Sequence, residues 1–140
     1  MLIVLQILLF LYHQVTTLFD LFPLNNVRDY SLKERLEECL VNGLIMAIPP
    51  AGLLLNIEWM IKAALVIYPL LLLGAYLSWW RPYLFGPTPQ WKEIYDRIYE
   101  TTIKVLPPIR NHPIPNLEHS ISHMLMLLIT VVTYLHFFSR

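Results

Sequence analysis

His119 and His123 stand four residues apart in LEHSISHMLM, with Glu118 beside the first. A helix carries residues at that spacing on one face, so the two imidazoles can reach one metal ion. Two nitrogens are only half of a usual metal site, and the rival readings are an interfacial His119 where the helix enters the membrane and a hydrogen-bonded His123 among the helices. A b-type haem would need two histidines on facing helices at one depth, which His13 with His123 could supply. The chain has no P-loop, no G-x-S-x-G and no glycine-rich phosphate turn, so ATP hydrolysis and triad chemistry find no support. Cys39 is the single cysteine, which leaves no internal disulfide and no multi-cysteine metal site. No particular cofactor is specified by these residues.

The elements that must position the histidines are set by an apolar composition. Hydrophobic residues make up 56% of the 140, mean hydropathy is +0.53, and ten basic residues balance ten acidic ones. These values describe a membrane protein, with the lipid bilayer as its solvent. No basic run is long enough to suggest a nucleic acid partner.

Residues 39–80 form one apolar block whose only charges are Glu58 and Lys62. A bilayer core of about 30 Å needs roughly 20 residues per helix, so the block reads as two crossings, 39–56 and 61–80, reversing at Asn56–Trp59. Residues 2–19 are expected to make a further crossing; they lack the basic start and small-residue cleavage site of a secretory signal. Residues 117–138 make the last, with Asn116 as cap and Arg140 just beyond. Ser31 with Glu34 forms a capping box that starts the second helix in a polar turn. Thr88 and Pro89 open an amphipathic helix over 89–106, which places Trp91, Ile94, Tyr95, Ile98, Thr102 and Val105 on one side. The expected fold is an all-α integral membrane protein: a single domain of four transmembrane helices, plus one amphipathic interfacial helix.

Three features inside these helices have chemical meaning. Pro49 and Pro50 remove two N–H donors in mid-crossing and are expected to break the helix there. Gly43, Ala47 and Ala51 form a small-residue stripe that lets another helix come close. Trp79, Trp80 and Arg81, with Trp91, read as interfacial anchors, and Pro82 as a helix stop. Matching depths along four crossings places His13, Asn42, His119 and His123 in one intramembrane polar layer. Such groups face the helical interior and pair, because an unpaired one costs a few kcal/mol.

Of ten lysines and arginines, eight fall in the first and third loops. Positive charge is retained on the cytoplasmic side, which puts those loops in the cytoplasm, with a bacterial plasma membrane as the default location. The functional expectation is a small polytopic protein working as a homo-oligomer or with other membrane subunits. The alternatives are a channel or transporter using the Pro49–Pro50 break, and a membrane-embedded metal or haem enzyme using His119 and His123.

Overall fold

The computed structural model describes residues 1–139; Arg140 lies outside the described residues. Its long elements are all helical: α1 Leu2–Leu18, α2 Leu32–Leu55, α3 Glu58–Phe85, α4 Pro89–Ile98 and α5 Leu117–Phe138. No strand occurs among the described residues, only one bridge between Lys104 and Asn116. Three helices, α2, α3 and α5, are long and apolar enough to cross a membrane, while α1 is apolar but shorter. α1 packs on α2 and α5, α2 on α3, and α3 on α5.

The capping chemistry explains where the helices begin. Ser31 Oγ accepts from the Glu34 N–H at 3.2 Å and the Glu34 carboxylate accepts from the Ser31 N–H at 2.7 Å. This reciprocal pair satisfies two donors that have no partner within a helix's first turn. α2 ends at Asn56 in the left-handed conformation (φ 56°, ψ 41°), and α3 starts two residues later. So short a link needs close backbones. A Cβ on Gly52 would stand 2.5 Å from Met60 Cβ and 2.7 Å from the Ile61 nitrogen, which only glycine avoids.

Several expectations are corrected. The break expected at Pro49 and Pro50 lies within a continuous helix: α2 runs through both, and both are buried. The ladder loses two donors locally while the turns on either side hold the chain helical. Pro82 does not stop α3 either. Residues Tyr76–Trp80 form a π turn, the Arg81 N–H reaches Tyr76 O, and helix continues from Arg81 to Phe85. The widened turn makes room ahead of a proline ring that a regular turn lacks. The helix expected over 89–106 ends at Ile98. Beyond it the Ile103 N–H bonds Pro23 O at 3.0 Å and the Leu117 N–H bonds Ile103 O at 2.7 Å. Tertiary partners thus replace helical ones in a stretch, Thr101-Thr102-Ile103, whose β-branched residues favour helix weakly. The small-residue stripe is used within the chain at Gly43, where Gln14 of α1 lies so close that a Cβ would meet its Nε2 at 2.6 Å.

Candidate functional site: a polar cavity among four helices

Leu9, Met46, Ala64, Tyr68, Ala75, Met126 and Ile129 form one buried apolar cluster. On the loop-1 side of it the helix interiors turn polar and enclose a cavity of about 300 Å³. α1 contributes His13, Thr16 and Thr17; α2 contributes Glu38 and Asn42; α3 contributes Gly74, Ser78 and Trp79; α5 contributes Glu118, His119, Ser122 and His123. The four residues expected in one polar layer therefore line one space. The volume sits at the lower end of small-molecule sites. Its open side lies at Gly74 and Ser78, both exposed, and a Cβ on Gly74 would meet nothing within 4 Å.

The two helix-5 histidines are held differently. Trp80 Nε1 donates to His123 Nδ1 at 3.1 Å. An indole N–H can only donate, so the neutral His123 ring carries its proton on Nε2. Asn116 Oδ1 caps α5 by accepting from the His119 N–H at 3.0 Å, and lies 2.8 Å from His119 Nδ1. There Nδ1 must donate, which leaves the lone pair of the neutral ring on Nε2. The two rings, 5.8 Å apart between centroids, are opposite tautomers: at Nε2 one donates and the other accepts. Two of the three cavity imidazoles have a carboxylate near them: Glu118 Oε2 lies 3.6 Å from His119 Nδ1 and, across the α1–α2 contact, Glu38 Oε1 lies 3.9 Å from His13 Nε2. Both Nδ1 atoms are engaged by protein groups, and no cluster of three or more His, Cys, Asp or Glu suited to a metal ion occurs among the described residues.

A cap of aromatic and amide side chains closes the end of the cavity. Trp79 is 4% exposed, its ring 4.1 Å from that of His119, 4.7 Å from Tyr99 and 5.4 Å from Trp91. The reading of Trp79 as an interfacial anchor is corrected here. The π turn directs it under α4, while Arg81 stays exposed and Trp80 turns to His123. α4 is set by Thr88, whose Oγ1 accepts from the Trp91 N–H at 3.2 Å, and Tyr95 and Ile98 are its buried residues. Asn25, 1% exposed, draws loop 1 inward by donating to Thr16 O and Phe19 O at 2.7 and 2.9 Å and accepting from the Leu21 N–H at 2.7 Å. The hydroxyls of Tyr30 and Tyr99 hydrogen-bond each other beside a second space of about 30 Å³, which shares Thr16, Thr17, Glu38, Glu118 and His119 with the larger cavity. Burial holds both phenols well above the ordinary tyrosine range.

Sequence reasoning missed Glu38, Ser78 and Gly74 as lining, and the Tyr30–Tyr99 pair. Glu38 was within reach, since it precedes Asn42 by one helical turn and so shares its face. The tyrosine pair, 69 residues apart in the chain, left no local signal. No family model, curated protein or solved structure matches the chain.

Proposed function

We propose that this is a small polytopic membrane protein whose internal cavity binds a small cationic solute and exchanges protons with it, as a transport protein does. The observation that carries this reading is the cavity itself. α1, α2, α3 and α5 line it, and it gathers two carboxyl groups, three imidazoles and the Trp79 ring, with no lysine or arginine in its lining among the described residues. Carboxylates and aromatic faces attract cations, and a carboxyl group that loses its proton as the cation arrives couples the two fluxes.

In this reading α1 is the fourth crossing of a four-helix transmembrane bundle. At 17 residues it reaches about 25 Å, slightly short of an average bilayer core. Its faces support the assignment: Gln6, Leu9, Thr16 and Thr17 are buried, while Val4, Leu8, Leu11 and Val15 are exposed. α4 lies at the interface as an amphipathic helix over the cavity. The first and third loops face the cytoplasm of a bacterial plasma membrane, following their positive charge. The bundle works as a homo-oligomer or with other membrane subunits, through the apolar outer faces of its helices.

The test uses tetramethylammonium, a permanent cation that cannot itself carry protons. Acid-loaded vesicles containing the protein should alkalinise inside when it is added outside, and Glu118→Gln should slow that response at least tenfold. Vesicles that stay acid, together with an unchanged melting temperature of the purified protein in tetramethylammonium, would remove the reading. A second reading, a membrane-embedded enzyme, draws on the closeness of His119 and His123. Stoichiometric metal or a haem band, lost in His119→Ala and His123→Ala, would favour it.

A further inference from the structure

Below the cavity the interior becomes polar a second time. Gln6, Tyr68 and Thr133 are 1%, 1% and 0% exposed, yet both side-chain polar atoms of Gln6, the Tyr68 hydroxyl and the Thr133 hydroxyl have no hydrogen-bond partner among the described residues. Buried polar groups are almost always paired, with protein or with ordered water.

The three side chains come from three helices, α1, α3 and α5. Leu9 and Ile129 share the apolar cluster with Tyr68, and Gln6 and Thr133 each lie one helical turn beyond them, toward the end where Leu2 and Ile3 of α1 share a groove with Val132 and Leu135 of α5. The Tyr134 hydroxyl donates to Leu65 O at 3.0 Å, which ties this part of α5 to the turn of α3 just before Tyr68. α2 adds to the same region without side chains. Pro49 and Pro50, both buried, deprive the Ile45 and Met46 carbonyls of their usual helical donors.

We infer that Gln6, Thr133 and the hydroxyl of Tyr68, whose ring belongs to the apolar cluster, form a second internal binding site, which holds water at mid-depth, separated from the histidine cavity by Leu9, Met46, Met126 and Ile129 of that cluster. The chemistry selects water over a charged ligand. The tier offers an amide, two hydroxyls and two backbone carbonyls, donors and acceptors together, and no ionisable carboxylate, imidazole or amine. With the cavity on one side and this tier on the other, a single apolar layer interrupts a polar path through the helices.

The experiment places a thiol in the tier and asks whether water reaches it. In a Cys39→Ser background, Thr133→Cys is treated with 2-aminoethyl methanethiosulfonate, which modifies hydrated thiols, and is compared with Leu128→Cys on the outer apolar face. Modification of Thr133→Cys at least tenfold faster than Leu128→Cys is expected; equal rates would overturn the site. Thr133→Val provides a second measurement. A hydrated hydroxyl predicts a lower melting temperature, because the water loses a partner, whereas a dry unpartnered hydroxyl predicts a higher one, which would also overturn the proposal. Neither readout depends on tetramethylammonium, so this site stands or fails separately from the cavity's ligand.

Discussion

The pair α2–α3 is closed at one end and open at the other. At the Asn56 turn, Gly52 brings two backbones so near that a single added carbon would overlap Met60. At the far end the same two helices leave room for a cavity of about 300 Å³, with Gly74 facing open space. Two glycines on neighbouring helices thus have opposite duties. One is required because nothing else fits, and the other leaves an entrance clear.

The sharpest way to break this contrast is to enlarge each glycine. Gly52→Val should cost about 3 kcal/mol or more through overpacking, seen as loss of a monodisperse elution peak or a collapse in melting temperature. Gly74→Leu should leave melting within about 0.5 kcal/mol of wild type while abolishing the tetramethylammonium response, since it obstructs only space. If both variants were equally stable, the distinction between the two ends would be lost.

Next in size is Asn116→Ala. It removes the α5 cap, the acceptor for His119 Nδ1, and a 3.5 Å hydrogen bond to Leu24 O. A loss of about 2 kcal/mol is expected by chemical denaturation, together with a change of the His119 tautomer visible in ring-nitrogen NMR. Trp80→Phe should cost about 1 kcal/mol and shift the nitrogen resonances of His123 while sparing those of His119. The smallest effect belongs to pH. Because the folded state raises the Tyr30 and Tyr99 phenols, it binds protons that the unfolded chain releases near pH 10. Their contribution is therefore fully present below about pH 10 and lost as pH rises further. Tyr30→Phe with Tyr99→Phe should flatten that alkaline decline in a melting series.

What the sequence made legible follows from what it encodes locally. Helical character, the capping box at Ser31, the cap at Thr88 and the apolar length of α2, α3 and α5 all depend on residues within a few positions of one another. His13, Asn42, His119 and His123 could be aligned because depth along a helix is counted in residues. Orientation around the helix is harder to count. The π turn at Tyr76–Trp80 has no sequence mark, and it sends Trp79 into the protein instead of toward a membrane surface. The end of α4 at Ile98 was also hidden, because the partners of residues beyond it, Pro23 and Leu117, lie in distant segments.

That π turn has a consequence for how the chain tolerates a change in length. It is a surplus residue absorbed inside a helix, so the residues after it face as though one position before them were missing. Removing one residue elsewhere in α3 would rotate everything downstream by about 100° and carry Trp80 away from His123. Removing Leu77 should instead tighten the wide turn and leave Trp80, Tyr83 and the cap over the cavity in register, at the cost of crowding the Pro82 ring. The end of α3 is thus its one place where a deletion is a repair of periodicity and not a shift of it.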